Sequence, residues 1–548
     1  MVFGAGGGTS SYREAEETDL IVLWGSNARE THPIFFHHLL RGVRNGAKLY
    51  AVDPRRTSSA EWADTWLGLD VGSDIALANA IGREIIASGL EDEAFIARAT
   101  DGYEAYRTNV WPYTLEYAQR ETGVPADAIK ELAHAFATAK RAMICWTLGI
   151  TEHHNAVDNV VSLINLALLT GHVGKYGSGL NPLRGQNNVQ GGGDMGALPN
   201  RLPGFQNVEN DELRAKFDAE WGVPVPPHRG WTLSEMFEAM ERDELQVIYV
   251  IGENPVQSEA DQKRAKRILA ERDFIVVQDL FLTATAELAD VVLPASAAWA
   301  ESEGTVTNSE RRVQRVRKAL DPPGEARDDL AIIYELAKRM GHDWGSPAAE
   351  DVWNEVRRLS PVHAGMSYAR LEELGGIQWP CYDENHPGEL FLHSRLWEDP
   401  VPGNRVPFVP VEHDPPVDRL DDIYPIRLTT GRRLDSYNTG VQTGGYTSPL
   451  RRGESLDISP EDAERLGLAD GERVLVTSRR GKVETPIRID ESLRPGLTFM
   501  TLHFQDDVAT NLLTIDATDP KSGTAEFKAT AIRIDKLAQA ADAAVGGD

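Results

Sequence analysis

One supersecondary pattern occurs twice in this chain of 548 residues, and its spacing constrains the fold more than any other feature. An apolar run from Asp19 to Trp24 leads into Gly25-Ser26-Asn27. A helical stretch follows to about Asn45, and a second apolar run, Lys48 to Val52, ends in Asp53-Pro54-Arg55-Arg56. The pattern returns as Val247 to Ile251, then Gly252-Glu253-Asn254-Pro255, a basic helical stretch, and Phe274 to Val277 ending in Gln278-Asp279. Gly25 and Gly252 are 227 residues apart, and the pairs Asp53/Asp279 and Asp64/Asp290 are each 226 apart. Strand, polar loop, helix and strand make a β-α-β unit, which builds parallel sheet and puts ligands at the carboxyl ends of strands. Two copies imply two similar α/β halves facing one another, since a solenoid needs more repeats.

The residues at those strand ends suggest a nucleotide. An acid at the tip of a second strand accepts hydrogen bonds from a ribose or a guanine edge, and a neighbouring Arg reaches phosphate. Capping by the Asp is the plain alternative. Neither loop carries the Gly-x-Gly-x-x-Gly fingerprint, so a nicotinamide cofactor is disfavoured.

Residues 177–196, between the halves, are rich in Gly, Asn and Gln with a single Arg, and show neither helical nor strand periodicity. Glycines let backbone approach a flat polar ligand, and amide side chains supply paired donors and acceptors. Just before this segment, Ala156 to Leu169 is predicted as a buried helix. A strand is predicted over Ala142 to Ile150, near whose end His153 and His154 offer either proton carriers or ordinary polar positions. From Tyr424 onward, short alternating runs with turns at 469–472 and 480–482 predict a β-barrel.

The chain has 56 basic and 84 acidic side chains, a net charge of −28, which gives no footprint for nucleic acid. No apolar run approaches the roughly 20 residues of a membrane span, and no leader pattern opens the chain, so the expected location is cytoplasmic. Two cysteines, Cys145 and Cys381, cannot make a disulfide framework or a cluster site and are expected to be buried thiols.

The run Arg184-Gly185-Gln186-Asn187-Asn188-Val189-Gln190-Gly191, with Gly25-Ser26-Asn27 and Asp53-Pro54-Arg55-Arg56, resembles the alpha subunit of molybdopterin-dependent formate dehydrogenases of the dimethyl-sulfoxide-reductase superfamily. The resemblance continues through Glu301 to Asn308, Gly376 to Cys381 and the C-terminal region. It implies two Rossmann-like α/β subdomains plus a double-psi type barrel. It also implies a bis-molybdopterin guanine dinucleotide holding Mo or W, with formate oxidised to carbon dioxide and electrons passed to an iron–sulfur or other electron-transfer subunit.

Carried over by residue, Gly25, Ser26, Asn27 and His32 would line one dinucleotide, with Asp53 and Arg55 at its guanosine and Gly72 and Asp74 nearby. Gly252, Asn254, Gln278 and Asp279 would serve the other. Gly185, Gln186 and Asn188 would contribute from the loop. Thr430, Gly431, Arg432, Asn511 and Lys528 would lie over both pterins, and Arg184 would pair with the formate carboxylate. Full-length relatives begin with a four-cysteine 4Fe-4S segment, then a metal-binding Cys or selenocysteine beside a His. This chain starts downstream of that pattern, so no metal ligand is expected within it, and the chain by itself is expected to be inactive.

The expected divisions are 1–175 and 176–345 for the halves, 346–420 as a connection, 421–535 as the barrel and 536–548 as a tail. Another molybdopterin oxidoreductase, such as a nitrate reductase, or an inactive scaffold needing a separate N-terminal part, are the alternatives.

Overall fold

The computed structural model describes residues 2–4, 6–434 and 453–537. In the first half every residue of Leu20–Trp24 and Ala142–Trp146 is buried. Unbroken apolar strands of this kind form parallel sheets covered on both faces. Five parallel strands run in the order Thr65–Leu67, Lys48–Val52, Leu20–Trp24, Ala142–Trp146, Gly179–Pro182. Because side chains alternate along a strand, Ile21 and Leu23 pack with Phe35, Phe36 and Leu39 of the helix Pro33–Arg44. Leu20, Val22 and Trp24 face the other way, into the larger core shared with the helices Asp74–Ala87 and Ala156–Leu169. That last helix has the bounds its composition predicts.

Strand order reverses between Leu20–Trp24 and Ala142–Trp146, so the crevice beyond their carboxyl ends is a topological switch point. Gly25 turns the chain there with φ of 56°, and a Cβ on it would come within 2.9 Å of the Gly149 carbonyl carbon. Gly149 donates its N–H to the Gly25 carbonyl at 3.2 Å, and Thr147 Oγ1 donates to the same oxygen at 2.7 Å. These contacts end the strand expected over 142–150 at Trp146, and the chain continues as a short helix, Leu148–Thr151.

The second half has three parallel strands, Val247–Ile251, Phe274–Asp279 and Val291–Pro294, with the middle one central. The repeat extends to single hydrogen bonds. Gly25 N donates to Val52 O, and Gly252 N to Gln278 O, both at 2.8 Å. Leu49 N donates to Asp64 Oδ2, and Ile275 N to Asp290 Oδ2, again both at 2.8 Å.

Residues 177–196 are more ordered than their sequence predicts. Gly179–Pro182 adds a parallel edge strand to the first sheet, so that sheet reaches past the division expected at residue 175, and Val189–Asp194 forms a helical turn. The strand is glycine-permitted: a Cβ on Gly179 would overlap Ser10 Oγ at 2.0 Å.

The C-terminal part closes into a barrel of six strands: Ile426–Gly431, Leu497–Thr501, Leu456–Ile458, Lys482–Ile489, Arg473–Ser478 and Thr530–Lys536. Alternation along Arg473–Ser478 and Lys482–Ile489 sends Val474, Val476, Val483 and Ile487 inward, against Leu428, Met500 and Ile532. Among the described residues no helix is long and apolar enough to cross a membrane.

Candidate functional site

A cavity of about 860 Å³ opens where the two halves and the barrel meet. Of the residues anticipated from sequence, it is lined by Gly25, Asn27, His32, Asp53, Arg55, Gly72, Asp74, Gly185, Gln186, Gly252, Asn254, Asp279, Thr430, Gly431, Arg432, Asn511 and Lys528. The loops at Gly25 and Gly252 therefore face one crevice.

The two strand-end loops are built alike. Asn27 Oδ1 accepts from Ser59 Oγ at 2.8 Å and Ser59 N at 3.3 Å. Asn254 Oδ1 accepts from Thr285 Oγ1 at 2.7 Å and Thr285 N at 3.2 Å. Asp53 Oδ1 accepts from Arg55 N at 3.0 Å, and Asp279 Oδ1 from Phe281 N at 3.3 Å, so each acid turns its own chain as well as facing the cavity.

Burial dominates the electrostatics. It pushes the Asp53 carboxyl up to about 6, against the pull of the Arg55 cation, and raises Asp74, to which Trp24 Nε1 donates at 2.8 Å. Asp279 is raised for the same reason. The Arg55 guanidinium lies 3.6 Å above the Phe499 ring, which fixes it at the mouth of the first half-site. Burial lowers His32, favouring its neutral form. His32 Nε2 then donates to the Arg184 carbonyl at 2.6 Å, and Nδ1 accepts from Thr31 Oγ1 at 2.8 Å.

The barrel clamps both halves. Lys528 Nζ sits 2.7 Å from Glu152 of the first half and donates to Thr430 O at 3.0 Å. Asn511 Nδ2 donates to the carbonyls of Gln257 and Ser258 in the second half, at 3.0 and 3.1 Å.

Four anticipated residues do not line the cavity. Ser26 is buried behind the loop, its hydroxyl lacking a partner among the described residues. Gln278 points the opposite way from Asp279, as strand alternation requires, and bonds Tyr249 and Asp329. Asn188, with φ of 63°, accepts from Thr307 N at 2.9 Å and braces the loop. Arg184 donates from Nη2 to the Gly6 carbonyl and from Nε to Gln190 Oε1 at 3.1 Å, while its neighbours Leu183 and Gly185 line the cavity.

The cavity also takes Thr147, Gly149, Glu152, His153, Glu253 and His503, which the motifs did not single out as ligand contacts. Glu253 belongs to the second repeat's loop and was within reach of the register. Thr147, Gly149 and Glu152 follow from where the strand Ala142–Trp146 stops, which no local signal gave. Cys145 and Cys381 are both buried and lie outside the cavity wall.

A family model described as molybdopterin oxidoreductase matches residues 5–339, and one described as the molydopterin dinucleotide binding domain matches 426–531. This chain is a molybdopterin oxidoreductase. It is 41% identical to the F420-dependent formate dehydrogenase subunit alpha of Methanocaldococcus jannaschii, over 98% of the chain and 79% of that relative. With subunit alpha of F420-dependent formate dehydrogenase 2 of Methanococcus maripaludis it shares 42%, over 98% and 79%. With formate dehydrogenase H of Escherichia coli it shares 38%, over 98% and 75%. The oxidoreductase also matches the fold of acetylene hydratase from Pelobacter acetylenicus, with TM-score 0.72 and 21% identity, over 97% of this chain and 79% of that one.

The chemistry of the cavity fits a molybdopterin-type cofactor. The glycine at the second strand end admits close approach of a flat ring, since a Cβ on Gly252 would meet no protein atom within 4 Å. The carboxylates, amides and Arg55 match a ligand bearing both heterocyclic N–H donors and phosphate.

Proposed function

We propose that this oxidoreductase holds a bis-molybdopterin guanine dinucleotide with Mo or W and oxidises formate to carbon dioxide. The observation that carries the cofactor proposal is the duplicated half-site: Gly25, Asn27 and Asp53 on one side of a single cavity, Gly252, Asn254 and Asp279 on the other. Two equivalent half-sites suit two equivalent dinucleotides. Asp53 with Arg55, and Asp279, would hold the guanosine ends; Thr430, Gly431, Arg432, Asn511 and Lys528 would cover the pterins. When bound, the group would supply the two-electron redox chemistry, and the protein supplies position and charge.

The substrate proposal rests on the relatives, which are named formate dehydrogenases, and on Arg184. Burial lowers the Arg184 guanidinium, and its two side-chain hydrogen bonds go to neutral acceptors, using two of five N–H donors. The part-buried guanidinium already feels the Asp194 carboxylate, but its unused donors can take a second anion, and a carboxylate matches the guanidinium fork. The proton released from formate goes to protein groups, and electrons go onward to an iron–sulfur or other electron-transfer subunit.

The test is formate-dependent reduction of a viologen dye by the complete, cofactor-loaded enzyme, with pterin content measured by fluorescence after oxidation. Two guanine dinucleotides per chain and formate turnover are expected. One dinucleotide per chain would overturn the paired half-sites, and full loading without formate turnover would overturn the substrate.

A further inference from the structure

His153 lines the cavity, with its side chain 2% exposed. Its Nε2 lies 3.1 Å from the Gly149 carbonyl, which can only accept, so that nitrogen keeps its proton. Nδ1 is therefore the nitrogen that gains and loses one, and it has no hydrogen-bond partner among the described residues. It faces Glu526 Oε1 at 3.5 Å. The Glu526 side chain is fully buried, and the same oxygen receives His154 Nδ1 at 2.9 Å. His154 Nε2 in turn lies 3.0 Å from Asp414 Oδ2, whose side chain is 65% exposed.

We propose that His153, Glu526, His154 and Asp414 form a proton relay joining the cavity to solvent. Each link is a titratable group within hydrogen-bonding reach, or a small ring movement, of the next. The first faces the cavity and the last faces water. A purely structural buried carboxylate would be better served by one histidine or by backbone amides. Glu526 Oε1 instead bonds one imidazole and faces a second, unbonded one, while its other oxygen accepts from Val417 N at 3.1 Å.

The electrostatics keep the relay charged at its centre. Despite burial, the His154 hydrogen bond and the neighbouring His153 imidazole hold Glu526 down at about 2. His154 is raised, chiefly by its bond to Glu526 and then by Asp414. The other charged or titratable groups facing the relay are Asp74 toward His153, Arg427 toward Glu526, and His413 and Arg419 toward His154 and Asp414.

The role in turnover rests on the formate oxidation proposed above. Breaking the formate C–H bond gives carbon dioxide, two electrons and one proton; the redox group, when bound, would supply the two-electron acceptor. The proton is taken at His153 Nδ1 and passed to Glu526 Oε1; His154 releases its Nε2 proton through Asp414, and its ring, turned over, takes the proton from Glu526 on the freed nitrogen.

Two measurements test this. In the first, the pH titration of His154 is followed by nitrogen-15 NMR on the full chain, which needs no substrate. Glu526→Gln is expected to lower the His154 midpoint by about one unit or more, and Asp414→Asn by less; an unchanged midpoint in Glu526→Gln overturns the relay.

In the second, the cofactor-loaded His154→Ala enzyme is assayed with formate and a viologen dye. The expectation is a fall in kcat of about tenfold or more, unchanged KM, a larger solvent deuterium isotope effect, and recovery with added imidazole. A fall that imidazole does not restore, with an unchanged isotope effect, assigns His154 a structural role and overturns the relay. If His154→Ala does not fold, Asp414→Asn, an exposed change, must show the same isotope effect in weaker form, and its absence overturns the relay. Failure of the unmutated enzyme to oxidise formate would sink the formate proposal alone, because the titration decides the relay without it.

Discussion

Lys528 of the barrel and Glu152 of the first half meet at the cavity wall at 2.7 Å, with side chains 9% and 15% exposed. Neither charge is well solvated alone, so the pair holds two separately built units together. Lys528→Met should leave Glu152 an uncompensated, largely buried charge and destabilise the barrel contact by roughly 2–4 kcal/mol. Adding Glu152→Gln should recover part of that loss. A thermal-denaturation double-mutant cycle measures it, and purely additive effects would show that the pair is not coupled.

Asn27 and Asn254 should be interchangeable in consequence. Replacing either with Leu removes the acceptor for Ser59 or Thr285 and leaves buried donors unmade, at about 1–3 kcal/mol. Each variant should lose bound dinucleotide to a similar extent, measured as pterin per chain. Loss in Asn27→Leu alone would show that the two halves do not bind equivalently.

Arg184→Lys should keep the charge and lose the planar fork. Losing a partly desolvated bidentate contact lowers kcat/KM for formate by roughly 30- to 1000-fold, or about 2–4 kcal/mol. Pterin content should stay normal. Near-normal kcat/KM would mean that Arg184 only braces Gly6 and Gln190.

Asp53 predicts a pH dependence. Its folded value, about 6, lies above the ordinary 3.8, so the folded state holds the proton more tightly than the unfolded chain. Stability from this group is present below about pH 4 and is lost as pH rises through 6. Asp53→Asn should therefore raise the melting temperature at pH 8 and leave it nearly unchanged at pH 4. Because the cavity admits solvent, the gain is about 1–2 kcal/mol. The same variant should bind the dinucleotide more weakly, since Asn replaces an anionic acceptor. Equal melting shifts at both pH values would rule out carboxylate burial as the cause.

Much of the fold was legible because its signals are local. Lys48–Val52, Val247–Ile251 and Ala156–Leu169 have the bounds their apolar runs predict, and the barrel strands follow turn residues and alternation. The cavity wall was legible wherever the repeat register marked a strand end, as at Gly25, Asp53, Gly252 and Asp279. Gln278 lies off the cavity wall because adjacent strand residues point to opposite faces, and a register that finds Asp279 does not say which neighbour shares its side.

The sequence by itself determined that two β-α-β units exist, where their strands end, and which acids and amides stand there, since periodicity and turn chemistry act over a few residues. Only the tertiary structure decided what those ends enclose. Gly179–Pro182 becomes a strand because an edge of the first sheet is open to it. Ala142–Trp146 stops because Gly25 and Gly149 meet, and Glu526 reaches His153 and His154 because the barrel closes over residues more than three hundred positions away. Contacts between residues so far apart leave no local pattern, because packing, not propensity, brings them together.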